Sequence, residues 1–354
     1  MNWNSRRNRK MIKRIEIVSL SSGVLGEAFV QHELEIGLRR LQSYGAEVSF
    51  SSHALCGLDY LQQHPEARAA DLLEALQGNA DMILCAIGGD DTYRLLPYLW
   101  EEDALLRAAE KGKGKIFLGF SDSTMNHLML HKVGMRTFYG QSFLSDVCEI
   151  GREMLPYTRH YLEELLASGT VSRVRPAEFW YDSREDFSPA AVGTSMPSHP
   201  NEGFLLWQGS PRFSGEILGG CIDTLFDIFN GERYPDSPEL CARYELFPSP
   251  DDWNGKILLL ESSEEKATPE KYRRMIRTLK ATGIFERISG LLIGKPDGEC
   301  YFADYRQILL EEVGRADLPI VANLNIGHAS PRCILPFGVP AFVDAEKQEI
   351  VFGA

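Results

Sequence analysis

Short, fully apolar runs alternate along this chain with longer stretches in which apolar positions recur at helical spacing. Residues 14–20, with Ile15, Ile17 and Val18, predict a first buried strand that closes in the Ser19-Leu20-Ser21-Ser22-Gly23 turn. The next stretch carries Phe29, Leu34, Ile36, Leu38 and Leu41, with Gly45 near its end, and predicts a helix. A strand at 47–50, a helix at 67–76 and a third strand at 81–87 follow. Helices on either side of Trp100 then lead to a strand at 116–118. Runs that are apolar on both faces, alternating with helices, predict a parallel sheet covered on each side.

A helix at 155–166 closes this first half. Between 168 and 203 the periodicity breaks: Pro176, Pro189, Pro197 and Pro200, with Ser and Gly, predict a long loop or linker. Trp180, Tyr181 and Trp207 frame it, and aromatics in that place fit either stacking on a ligand or packing at a hinge. The second half opens with Gly215-Glu216-Ile217-Leu218-Gly219-Gly220 and a helix at 221–229. A buried strand, Ile257-Leu258-Leu259-Leu260, ends at Glu261; a helix at 269–282, a strand at 289–293 and an apolar run at 320–324 come next. Segments 341–343 and 349–352 predict a closing hairpin. The expected organisation is therefore a disordered basic leader (1–13), an N-terminal α/β domain (14–168), a linker or lid (169–212) and a C-terminal domain (213–354).

Composition narrows the function. At 354 residues, 44% hydrophobic and 25% charged, the chain describes an ordinary globular protein of two domains or one large one. Its formal charge of −13 argues against a nucleic-acid or anionic-membrane binder, because those need clustered Lys and Arg. The basic run Arg6-Arg7-Asn8-Arg9-Lys10 is followed by no apolar segment of signal-peptide type. The 7 cysteines are scattered and odd in number, without a C-x-x-C pair, so neither a zinc site nor a disulfide framework is predicted and a cytoplasmic location is expected. No apolar run is long enough to span a membrane.

The candidate chemistry lies at the ends of the apolar strands. Gly119-Phe120-Ser121-Asp122-Ser123 joins a strand to a helix with Ser121 at the apex, and Asp122, Ser123 and Thr124 offer helix-capping side chains. Such an elbow exposes a nucleophile, although Ser123 stands where the usual second Gly would be, and a serine that merely caps a helix reads the same way. The third strand ends in Gly88-Gly89-Asp90-Asp91-Thr92. There the amide of Gly89 is placed to complement that of Asp122 as an oxyanion hole, with Gly88 allowing close approach. The loop is also similar to the Gly-Gly-Asp-Gly-Thr loop of NAD kinases, but Asp91 would crowd a phosphate. Glu261 at the end of an apolar strand is placed to act rather than to solubilise. His328 follows Gly327 in a loop, where a lone histidine more often serves structure than catalysis.

Taken in order, Ile87-Gly88-Gly89 with Arg94-Leu95-Leu96-Pro97, Gly119-Phe120-Ser121-Asp122, Phe138-Tyr139-Gly140, Gly219-Gly220, Ile257-Leu258-Leu259-Leu260-Glu261, and Gly327-His328 with Leu335-Pro336-Phe337-Gly338 resemble the LD-carboxypeptidase family of serine peptidases. Within that family the resemblance is to the microcin C self-immunity subgroup. It implies a flavodoxin-like parallel-sheet N-terminal domain, a smaller mixed α/β C-terminal domain and a homodimer. It also implies a Ser-Glu-His triad mapped to Ser121, Glu261 and His328, with no metal or cofactor. The chemistry agrees: a serine needs a base, and the base needs an acid to fix its tautomer. Cys221 stands where the family usually has Asn, which puts specificity in question. Two substrates fit the resemblance, a murein tetrapeptide and the acyl-nucleotide amide of processed microcin C; the aromatic linker, with Trp180 and Tyr181 as expected substrate contacts, favours the second. A non-enzymatic two-domain ligand binder is the alternative of another class.

Overall fold

The computed structural model describes residues 11–353; the basic run at 6–10 lies outside them. Sixteen strands are described. The first five are β1 (Arg14–Val18), β2 (Glu47–Phe50), β3 (Met82–Cys85), β4 (Ile116–Gly119) and β5 (Thr137–Tyr139). They pair in parallel in the order β2-β1-β3-β4-β5, which is the flavodoxin-like arrangement expected. The apolar runs explain it: β3 and β4 are buried at every position because helices cover both faces. In such a sheet ligands gather at the carboxyl ends of the strands, where order reverses beside β1 and β3.

The remaining strands are β6 (Arg173–Val174), β7 (Phe179–Tyr181), β8 (Ser198–Pro200), β9 (Leu205–Gln208), β10 (Arg212–Cys221), β11 (Ile257–Glu261), β12 (Gly290–Gly294), β13 (Ile320–Leu324), β14 (Leu335–Phe337), β15 (Pro340–Asp344) and β16 (Glu349–Phe352). Eight of them form a second, mixed sheet in the order β6-β16-β15-β10-β11-β12-β13-β9. Its centre, β10 to β13, is parallel, and antiparallel strands flank it. The expected terminal hairpin is β15–β16.

Three stretches differ from the sequence expectation. The 169–212 segment is not one loop: β6 and β9 edge the second sheet, and β7 pairs with β8 as a separate hairpin. These strands run only two to four residues, too short among prolines to show a period. Second, β14 leaves its own half and pairs antiparallel with β5 at the edge of the first sheet, Leu335 opposite Tyr139. Third, Ile12, counted with the leader, is buried and its amide donates to the Leu166 carbonyl at 2.8 Å. No helix among the described residues is long and apolar enough to cross a membrane.

Candidate active site

Ser121 stands two residues past β4, after Phe120, and has φ +63°, a left-handed conformation that a non-glycine residue holds only when its surroundings impose it. The helix Ser123–Lys132 starts behind it. Asp122 does not cap that helix with its side chain, as the sequence suggested. Its buried carboxylate instead accepts from the Ser21 hydroxyl at 2.6 Å and the Thr92 amide at 3.0 Å, tying the ends of β1, β3 and β4 together. Burial pushes the Asp122 pKa up, and these two donors oppose it.

Gly88 is what lets the β3 loop reach this turn. A Cβ there would lie 2.6 Å from Ser121 Oγ and 3.3 Å from the Asp122 amide nitrogen. The Gly88–Gly89 backbone, the Ser121 hydroxyl and that amide therefore enclose one small space. Among the described residues, neither the Gly89 nor the Asp122 amide donates a hydrogen bond.

Glu261 is the last residue of β11 and its side chain is fully buried. His328 comes from the loop after β13, where Gly327 has φ +84° and a Cβ would strike Glu261 Oε2 at 2.3 Å. A glycine is required there on both counts. His328 Nδ1 lies 2.8 Å from Glu261 Oε2 and its Nε2 lies 3.0 Å from Ser121 Oγ. Burial opposes charging this imidazole, but the Glu261 carboxylate and then Glu264 outweigh it, so the His328 pKa is raised. The loop is fixed by Arg332, whose guanidinium donates to the carbonyls of Gly327 and His328 (2.8 Å for the latter) and pairs with buried Asp146 at 3.0 Å. Phe120 packs edge-on to the His328 ring, with centroids 5.2 Å apart.

Tyr139, quoted only as part of a sequence marker, has a place that the sequence reading missed. Its hydroxyl donates to Glu261 Oε1 at 2.6 Å and accepts from the Ser121 amide at 3.2 Å. Burial, then the Glu261 charge, pushes its pKa far up, so the phenol stays a donor. Ser121, Tyr139, Glu261 and His328 thus form a closed hydrogen-bonded ring across the two sheets. The Thr124 hydroxyl adds a further tie, accepting from the Cys221 amide at 3.0 Å.

The ring opens onto a cleft of about 520 Å³ whose wall includes Ser21, Gly89, Ser121, Asp122 and Cys221. Eight carboxylates line it (Asp59, Asp90, Asp91, Asp122, Asp223, Asp227, Glu264 and Glu265) against one cation, Arg233. That cation is already shared by Asp90, Asp227 and Glu265. Cys221 Sγ, a Glu261 oxygen and a His328 nitrogen lie within 4.8 Å of one another, a metal-ligand set by type. The Glu261 and His328 atoms are already hydrogen-bonded to each other, to Tyr139 and to Ser121, and burial, then Glu261 and Asp223, push the Cys221 thiol well up.

Trp180 and Tyr181 do not line the cleft. Trp180 is buried on β7, stacked on His199 at 4.2 Å with Lys295 Nζ 4.9 Å from its ring centroid. The Tyr181 amide donates to the Ser330 carbonyl at 3.0 Å, docking the hairpin beside the His328 loop. Strand pairing turned the expected substrate contact into hairpin core.

Comparison with known proteins agrees with this architecture. The LD-carboxypeptidase N-terminal domain matches residues 15–140 and the LD-carboxypeptidase C-terminal domain residues 214–343. The structure of an MccF-like protein from Streptococcus pneumoniae in complex with AMP is 57% identical, with a TM-score of 0.95, covering 97% of this chain and 99% of that one. The microcin C7 self-immunity protein MccF of Escherichia coli is 26% identical over 276 residues, 76% of this chain and 72% of its own. A probable murein peptide carboxypeptidase of Bacillus subtilis is 26% identical over 328 residues, 90% and 86% of the two chains.

Proposed function

The chain belongs to the LD-carboxypeptidase family of serine peptidases, and from that premise we propose that it hydrolyses the amide of aminoacyl-nucleotide compounds with Ser121, His328 and Glu261 as its triad. The observation that carries the reading is the His328 ring, with Glu261 on one nitrogen and Ser121 on the other. Family membership sets aside the non-enzymatic binder.

In this mechanism Ser121 Oγ bonds to the scissile carbonyl carbon while His328 Nε2 takes its proton. The amides of Gly89 and Asp122 hold the oxyanion. As the C–N bond breaks, the imidazolium gives its proton to the leaving nitrogen. Water then releases the acyl group by the reverse sequence, with Glu261 holding the imidazole tautomer throughout. Cys221 lines the acyl side and bears on specificity.

Two observations support the aminoacyl-nucleotide substrate. The 57% identical neighbour holds AMP. The acidic wall suits an α-ammonium beside the scissile carbonyl, whereas a terminal carboxylate would meet one cation that three acids already surround. Murein tetrapeptide is the second reading, favoured by the murein-peptide relative. The seven unpaired cysteines support a reducing, cytoplasmic setting, and a homodimer is proposed on the family's pattern.

Hydrolysis of an alanyl-sulfamoyl-adenosine and of murein tetrapeptide, compared at equal enzyme, tests the reading. Faster turnover of the nucleotide compound is expected. Tetrapeptide cleavage with no nucleotide turnover would make the protein a murein-recycling enzyme.

A further inference from the structure

His328 Nε2 has two polar neighbours. Ser121 Oγ lies 3.0 Å away and Glu264 Oε2 3.1 Å away. The other ring nitrogen faces Glu261, a carboxylate that only accepts, so Nδ1 carries a hydrogen. Were Nε2 then the bare lone pair that accepts the serine proton, Glu264 would face it acceptor to acceptor. Ser121 holds the hydrogen-bonding direction of Nε2 and Glu264 stands beside it as an ion-pair contact, which is favourable when the ring is an imidazolium and unfavourable against a bare nitrogen lone pair.

The Glu264 side chain is 72% exposed, and His328 is its one ion-pair partner among the described residues. Its placement is nonetheless built. The Ser263 amide donates to Asp223 at 3.0 Å, the Lys266 amide closes a turn on the Ser263 carbonyl at 3.2 Å, and Glu265 is held by Arg233 and Lys271. The turn after β11 therefore presents Glu264 to the cleft.

We infer that Glu264 is a positioning residue that, through its contact with Nε2, favours the imidazolium form of His328 and so sets the pH above which the ring is free to take the Ser121 proton. The inference rests on the reading of His328 as the base. Every other group facing the ring is fixed. Glu261 on β11 is buried; the Cys221 thiol at the end of β10 stays protonated; Arg332 on the ring's own loop is paired with Asp146; Ser121 and Phe120 are held by the β4 turn. Glu264 alone is exposed enough to be displaced by a substrate's ammonium or screened by salt.

The sign follows directly. A carboxylate beside the imidazolium raises the His328 pKa, catalysis needs the neutral ring, and so Glu264 moves the acid limb of kcat/KM to higher pH. In Glu264→Gln the His328 imidazole, titrated by NMR in the full chain, is expected to lose its proton at a pH lower by roughly half a unit, the scale of an exposed pair. The acid-limb midpoint of kcat/KM for the alanyl compound should move down by the same half unit, read from the profile normalised to its own plateau because Glu264 also belongs to the acidic wall. High salt should lower the wild-type midpoint and leave that of Glu264→Gln nearly in place. Glu264→Asp should recover part of the shift. An unchanged His328 midpoint overturns the inference, whatever happens to activity. The titration needs no turnover, so a protein that hydrolyses neither substrate class would refute the proposed function and leave Glu264 to be judged by the NMR midpoint alone.

Discussion

Tyr139 shows how much one hydroxyl can hold. It links the Ser121 amide to Glu261, and its ring stacks on Phe337 of β14 with centroids 5.5 Å apart. Tyr139→Phe keeps that stacking while leaving a buried carboxylate oxygen and a buried amide without their partner, which costs about 1–3 kcal/mol. A lower melting temperature with kcat/KM reduced roughly tenfold or more is expected; unchanged kcat/KM would mean that His328 needs no help from this side of Glu261. The triad itself predicts steeper losses. Ser121→Ala and His328→Ala should each lower kcat by about four to six orders of magnitude, with the double variant little worse, because the residues act as one unit. Glu261→Gln should cost less, since it changes the tautomer and charge behind the base but removes neither reacting group. Single-turnover kinetics on the three variants check this order. Near-normal kcat in His328→Ala would remove the base from the mechanism.

At the scale of elements, the β7–β8 hairpin gives the clearest test. Trp180 is 8% exposed between His199 and Lys295, so Trp180→Ala should destabilise the fold by about 3–5 kcal/mol. Where the variant stays folded, kcat/KM should be nearly unchanged. Chemical denaturation and initial rates separate this from a substrate contact, which would raise KM and spare stability. The hairpin also marks where sequence reading stops. Strands β3, β4, β11 and β12 are legible because both faces are buried and their runs are apolar up to the residue that ends them; β1 and β2 keep exposed polar positions and show less plainly, and β5 is three residues long and shows no run at all. Ser121, Glu261 and His328 are legible because each stands where such a strand ends or its following loop begins. Strand β14 is not: Leu335-Pro336-Phe337 has a proline at its centre, tolerated only because the strand lies at a sheet edge. The part played by Tyr139 is equally hidden, since it depends on how β5 faces β11 across the two sheets. Glu264 reads as one more surface acid until the turn that carries it is folded.

At the scale of the whole molecule, the two sheets are fastened to each other by backbone as well as side chains. Strand β14 belongs by sequence to the second half and by hydrogen bonding to the first. Cross-links such as Tyr139 to Glu261 and Tyr93 to Asp236, the latter at 2.7 Å, reinforce that union. Chains of this length often unfold in separable steps, but here a single calorimetric transition is expected, with matching calorimetric and van't Hoff enthalpies. Two resolved transitions would show that the exchanged strand couples the halves only weakly. The same strand sets a condition on birth at the ribosome. Synthesis runs from the amino end at about 5–20 residues per second, so β5 is complete nearly two hundred residues before its outer neighbour has been made. For that interval the growing chain carries an open strand edge, the kind of surface that recruits foreign strands. The nascent first half is therefore where a chaperone has most to protect, and the serine meets its histidine only as translation nears its end.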